Sequence, residues 1–275
     1  MTRRPGRLCP ADRRDQPRRS VEGREHEVER AQVVLSAGGY RSGSTWAYNL
    51  CGEYLERANA GRRIGYLEPW QVPLLAGPVW SFVEAMGVAV GKAHHTPAIP
   101  EGADWTGLLA DGRLVAVCSV RDWRDVLHSF TRTFGQRPLE ALDSRRWRVN
   151  LDNVRWWRDN GALVVRYEDV VARPSGLLEA VAARLGLAFE RGVALEAEAA
   201  AAKGVATCGG SADGFDADVD PRTLLHRAHV AHPEGGAWAT WTADVRAEVD
   251  AALAPLLDEF GYAEGVRDGS ARARS

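Results

Sequence analysis

The sequence predicts a single α/β domain built on a central parallel β-sheet with helices on both faces. Three observations lead there. Residues 32–37 (QVVLSA), 114–120 (LVAVCSV) and 162–167 (ALVVRY) are short runs of strand length, rich in β-branched or apolar residues. Each is followed by a segment of helical character. Such alternation produces a parallel sheet covered on both sides, with ligands at the carboxyl ends of its strands.

In chain order, the first run ends in Gly38-Gly39, and residues 44–58 form a helix opened by hydroxyl residues, which favour the N-cap. Ala89 and Val90 lead into a turn-rich segment around Pro97 and Pro100. LVAVCSV is apolar almost throughout, as a strand buried on both faces requires. Residues 122–133 and 151–160 read as helices, 162–167 as a third buried strand and 176–185 as its following helix. Residues 191–203 are alanine-rich and helical in pattern, and 204–220 are a Gly/Asp-rich loop. An amphipathic helix over 245–260 closes the domain, with Pro255 expected to kink it.

The chain has 275 residues, ample for a sizeable core, with 35 Lys+Arg against 37 Asp+Glu and a net charge of −2. That balance excludes a protein that coats nucleic acid. Only Lys92 and Lys203 are lysines; every other cation is arginine. Cys9, Cys51, Cys118 and Cys208 stand far apart without a CxxC pair, which excludes a disulfide scaffold or a cysteine zinc site and fits a reducing cytoplasm. No apolar run approaches a membrane span, and the N-terminus lacks the apolar core of a signal peptide. Residues 1–30 hold nine arginines and six acids with almost no large apolar side chain, the composition of a disordered basic arm. Residues 264–275 read as a disordered tail.

Three strand ends carry the chemistry. At the first, Gly38-Gly39-Tyr40-Arg41-Ser42-Gly43-Ser44-Thr45-Trp46 joins a strand to a helix. Glycines let such a loop turn its N–H groups inward, and the helix N-terminus adds positive potential, which together make an anion cradle. The loop nearly spells the nucleoside-triphosphate motif G-x4-G-K-[ST]. Ser44 stands where the lysine belongs, however, and the cation has moved upstream to Arg41. At the second, Arg121 follows the strand and Ser129 lies eight residues on, about two helical turns, so that one face presents a guanidinium and a hydroxyl to one phosphate. At the third, Tyr167 ends the strand before Glu168-Asp169, placed to reach a bound base.

These three segments resemble the sulfotransferases that use 3′-phosphoadenosine 5′-phosphosulfate (PAPS). The family's Y-P-[KR]-S-G-[ST]-T-W loop is matched from Tyr40 to Trp46 with a shifted lead-in, its R-D-x-R-D-V-x-x-S from Arg121 to Ser129, and its Y-E-D by Tyr167-Glu168-Asp169. The resemblance implies a P-loop-type domain, like that of nucleoside-triphosphate hydrolases, over residues 31–263, with PAPS as cofactor and PAP (3′,5′-ADP) as product. It places Arg41, Ser42, Gly43, Ser44 and Thr45 at the 5′-phosphosulfate, Trp46 and Tyr167 at adenine, and Arg121 with Ser129 at the 3′-phosphate. The family's late R-K-G segment is matched poorly, with Arg227 as its nearest counterpart.

Transfer to a hydroxyl needs a base and preorganised donors for the leaving group, and no metal in principle. Lys92-Ala93-His94-His95-Thr96-Pro97 resembles the family's K-T-H-x-P segment, which implies His94 as base beside Lys92 and Arg41. His95 competes, because one extra residue precedes the proline. Glu68, in a loop after the first helix, is the other candidate, since carbohydrate-directed members use a glutamate. Trp70, Trp80, Phe82 and Trp105 flank this region as candidate walls of an acceptor pocket. The acceptor is a hydroxyl-bearing small molecule, lipid or sugar, with homodimerisation open. A P-loop kinase using ATP–Mg and a non-catalytic nucleotide-binding module are the alternatives.

Overall fold

A computed structural model describes residues 32–68, 87–94, 105–208, 219–225 and 235–263. The terminal arms, His95, Trp70, Trp80, Phe82 and Arg227 lie outside the described residues. Trp105 opens a helix, but its side chain is likewise outside the description.

Five strands form one sheet: β1 (Gln32–Ser36), β2 (Gly61–Tyr66), β3 (Val88–Lys92), β4 (Leu114–Val120) and β5 (Leu163–Arg166). Their spatial order is β2-β3-β1-β4-β5 and every pair is parallel. The helices are α1 (Ser44–Arg57), α2 (Trp105–Ala110), α3 (Trp123–Phe134), α4 (Pro138–Asp143), α5 (Arg145–Asp159), α6 (Tyr167–Ala172), α7 (Pro174–Leu185), α8 (Arg191–Cys208) and α9 (Ala243–Glu259), with a 3-10 turn at Ala237–Thr240. Successive residues of the central strands point to opposite faces and feed two cores. Val33, Leu35, Ala116 and Cys118 pack with Trp123, Phe130, Trp147, Trp157 and Leu257. Val34, Val90, Val115 and Val117 pack with Tyr48, Leu50, Leu55, Leu178 and Val181. Among the described residues no helix is long and apolar enough to cross a membrane.

The expected architecture, a parallel sheet between helical layers, is the one observed. Several local expectations need correction. α1 is capped by Gly43, in a left-handed conformation with φ 90°, and not by a hydroxyl side chain; Ser44 is already helical. The third predicted strand is not buried on both faces. β5 is an edge strand whose residues alternate between half-buried and exposed, and Tyr167 starts α6 instead of ending the strand. The alanine-rich helix continues through Gly204 to Cys208, so the predicted loop loses its first turn; residues 209–218 lie outside the described residues. β2 (GRRIGY) gave no apolar signal because its buried cation is neutralised, not replaced by hydrocarbon. The Arg63 side chain is 2% exposed and pairs with Glu53 at 2.5 Å and Glu56 at 2.8 Å, both on α1.

Candidate active site

Register brings the strand ends together. Ser36 of β1 pairs with Lys92 of β3 on one side and Val117 of β4 on the other, while Lys92 also pairs with Tyr66 of β2. The segments leaving these strands enclose a cleft of about 840 Å³. Arg41, Ser44, Thr45, Trp46, Lys92, His94, Arg121, Ser129, Tyr167 and Glu68 all line it.

The loop after β1 is locked in place from beneath. Gly38 has no room for a side chain: a Cβ there would lie 2.1 Å from Ser119 Oγ and 2.8 Å from the Ser119 carbonyl oxygen. The Ser42 hydroxyl donates to the Gly39 carbonyl at 2.7 Å and sits 3.0 Å from Ser119 Oγ. The side chain of Ser42 is therefore buried under the loop and does not line the cleft. Asn150 of α5 accepts the Tyr40 N–H at 2.6 Å, and Ser36 Oγ donates to the Ser44 carbonyl at 2.7 Å. Arg41 and Gly43 take left-handed φ of 64° and 90°, the alternation by which a loop gathers N–H groups into an anion-binding hollow. A side chain at Gly43 would also strike Tyr167 Cδ2 at 2.3 Å.

The second and third motifs close on the first. α3 begins at an Asp122 cap that accepts the Arg124 N–H, and this aims the face carrying Asp125, Ser129 and Arg132 into the cleft. Arg41 Nε donates to Ser129 Oγ at 2.6 Å, so Ser129 ties the two motifs together. Arg121 itself lies between β4 and the Asp122 cap, ahead of α3, so the two-turn helical face expected to carry both residues holds Ser129 but not Arg121. The Arg121 guanidinium lies 4.7 Å from the centre of the Tyr167 ring. Glu168 accepts the Asp122 N–H at 3.2 Å with one oxygen and the Tyr262 hydroxyl at 2.7 Å with the other. Arg124 and Asp125 have a holding role. Arg124 bonds Asp122 and lies 4.4 Å over the Trp238 ring; Asp125 accepts the N–H groups of Gly236 and Ala237 at 2.9 and 3.0 Å. This brings the residues just after the Arg227 segment against Arg121.

The other side of the cleft holds the titratable candidates. His94 Nδ1 is 2.9 Å from the Gly38 carbonyl oxygen, which can only accept. Nδ1 therefore carries the proton, and Nε2 is the basic nitrogen. The His94 ring rests on Tyr40 at 4.6 Å between centroids and approaches Tyr66 at 6.1 Å. Glu68 is exposed at the same side.

Like charges are crowded here. Burial and then the Arg121 and Arg132 guanidinium groups push Arg41 down to about 10. Lys92 is buried as the last residue of β3, and burial with the Arg41 charge pulls its ammonium down to about 7. Cations held this closely in a partly dry cleft are the preparation for a polyanion.

Sequence reasoning missed the roles of Ser119, Asn150, Tyr262, Arg132 and Arg146. Tyr40 stood within the loop motif, but the partners of Tyr40 and Tyr262 are 54 and 94 residues away in sequence, as the Tyr40–His94 and Glu168–Tyr262 contacts show, so no local spacing marks them.

No family model matches the chain, and no curated protein matches it. Among solved structures it is similar to mouse sulfotransferase SULT7A1 complexed with PAP, at 13% identity over 86% of each chain with a TM-score of 0.54. It is also similar to retinol dehydratase in a complex with retinol and PAP, at 13% identity over 84% of this chain and 82% of that one, TM-score 0.52. A complex of retinol dehydratase with androsterone and inactive cofactor PAP gives 14% identity, 83% and 81% coverage and a TM-score of 0.53. At such identities the likeness establishes a shared fold.

Proposed function

We propose that residues 31–263 form a sulfotransferase that moves a sulfuryl group from PAPS to a hydroxyl acceptor. The observation that carries this reading is the cluster of Arg41, bonded to Ser129, with Arg121 over Tyr167 and Lys92 behind it, at the ends of β1, β3 and β4. A fold shared with proteins crystallised with PAP supports it.

The residues fit the cofactor's chemistry. Arg41, the loop amides and the N-terminus of α1 would hold the 5′-phosphosulfate. Arg121, in the loop ahead of α3, with Ser129 on α3, would hold the 3′-phosphate, and Trp46 and Tyr167 offer rings for adenine. When bound, PAPS supplies an activated sulfuryl group on a phosphate leaving group. His94 Nε2 takes the proton of the acceptor hydroxyl, with Nδ1–H anchored on Gly38 to fix the ring. Lys92, poised near neutrality, becomes a full cation beside an anion and with Arg41 steadies the charge that develops on the leaving oxygen. His94 is preferred to Glu68 because its tautomer is fixed by a hydrogen bond into the loop itself.

Thermal unfolding with PAP, PAPS, ATP and ATP–Mg tests the reading. Selective stabilisation by PAP and PAPS is expected, and stabilisation by ATP–Mg alone overturns it. With an acceptor in hand, His94→Ala lowers kcat by about 100-fold or more while PAP affinity is kept. Near-normal turnover in His94→Ala, with loss in Glu68→Ala, moves the base to Glu68.

A further inference from the structure

Two arginines in the cleft are used by none of the roles above. Arg132, three residues beyond Ser129 on α3, and Arg146, in the first turn of α5, both line the cleft, and both are exposed. Neither forms an ion pair among the described residues. Neighbouring arginines of the same helical layer do: Arg137 with Glu140, and Arg155 and Arg158 with Glu259. Arg146 is held instead by its flat face, 4.2 Å from the centre of the Phe134 ring. Stacking of that kind occupies the face of the guanidinium and leaves its edge donors for a planar oxyanion.

Arg146 stands on the side of the proposed base, and Arg132 stands between it and the cofactor cradle. Tyr40 and Arg41 are consecutive, and their side chains divide the cleft. The Arg146 charge acts on the Tyr40 hydroxyl, whose ring packs against His94, while the Arg132 charge acts on Arg41. Phe134 lines the same wall and adds an apolar surface beside the two cations. The acids nearby are placed elsewhere. Asp125 is committed to Gly236 and Ala237; Glu68, at the end of β2, acts on the same Tyr40 hydroxyl as Arg146 but makes no ion pair with it among the described residues.

Resting on the sulfotransferase reading, we infer that the acceptor is itself an anion: a hydroxyl compound carrying a carboxylate or comparable oxyanion, bound by Arg132 and Arg146 with its apolar part on Phe134. The two cations orient the hydroxyl toward His94 and select against neutral analogues, whose binding would leave both guanidinium groups without a counter-charge.

Calorimetric titration of the PAP-saturated protein tests this without requiring turnover. PAP fills the cofactor's own anion sites, and the probes are 4-hydroxybenzoate and its neutral isostere 4-hydroxybenzamide. The acid is expected to bind about tenfold or more tighter than the amide, with the preference shrinking as salt rises. Arg146→Gln and Arg132→Gln each reduce that preference, and the double variant abolishes it, while PAP affinity is kept. Equal binding of the two probes, binding of neither, or a preference that survives both substitutions overturns the inference. So does a loss of PAP affinity in Arg132→Gln as large as in Arg121→Ala, because Arg132 then belongs to the cofactor site. Failure of the unsubstituted protein to bind PAP is the separate result that removes the sulfotransferase reading.

Discussion

The half of the cleft at the ends of β1 and β4 is fixed by a network of side-chain hydrogen bonds, whereas the half at the ends of β2 and β3 rests on burial and stacking, with one side-chain bond, His94 to the Gly38 carbonyl, joining it to the first. In the first, Ser42, Ser119, Asn150, Arg41, Ser129, Glu168 and Tyr262 join loop to strand to helix through bonds of 2.6–3.0 Å. In the second, Lys92 is held in the sheet with its ammonium 5.6 Å from the Tyr66 ring centre, and the His94 ring lies on Tyr40. A site that must grip a fixed polyanion gains from rigidly placed donors. A site that must pass a proton needs groups whose charge is easily changed, and incomplete neutralisation provides that.

The largest expected effect comes from breaking the rigid half at its tightest point. Gly38→Ala forces a methyl group against Ser119 Oγ and the Ser119 backbone and should lower Tm by about 10 °C in a thermal melt. Gly192→Ala on α8, with nothing within 4 Å of the added carbon, should leave Tm near or slightly above that of the parent. Similar losses in both would mean that the loop is not specially confined.

The titratable half responds to pH. The unfolded chain keeps Lys92 protonated up to its usual 10.5, while the folded chain releases that proton near 7. Between those values the unfolded state binds more protons, so this group makes stability rise with pH; below about 7 the folded protein carries a buried ammonium at full cost. Lys92→Met should therefore raise Tm at pH 6, by about 4 °C, and the gain should fade toward pH 10. A gain that grows with pH contradicts the assignment.

The smallest effect separates a bond from a ring. Tyr262→Phe keeps the packing of a buried ring but leaves Glu168 with the Asp122 N–H alone, and should cost about 1 kcal/mol, or roughly 3 °C. PAP affinity should fall several-fold through looser placement of Arg121, while Arg146→Gln, at the other end of the cleft, leaves it unchanged.

Much of the rigid half was legible in the chain. Strand, glycine-rich turn and helix occur in order from Gln32 to Arg57, and Arg121 and Ser129 both line the cleft, although Arg121 stands in the loop ahead of α3 and only Ser129 is on the helix. The half at the ends of β2 and β3 was only partly legible. Lys92 and His94 stood out as residue types, but β2 was hidden because Arg63 is buried by ion pairs with α1, where a hydrophobic pattern shows nothing. β5 misled in the opposite direction, since ALVVRY carries the composition of a central strand yet occupies an edge.

The sequence by itself determined the parallel α/β plan, the glycine-rich loop after the first strand and the identity of the cations around it. These follow from local rules: hydrophobic runs of strand length, glycines at a turn, and helical spacing. Only the tertiary structure decided that Ser129 answers Arg41, that Glu168 answers Tyr262, that Ser42 turns inward and that Arg132 and Arg146 face the cleft without acidic partners among the described residues. Such pairings depend on which strands lie side by side. Parallel register, set by the packing of both faces at once, brings residues more than 80 positions apart into contact, as at Arg41 and Ser129.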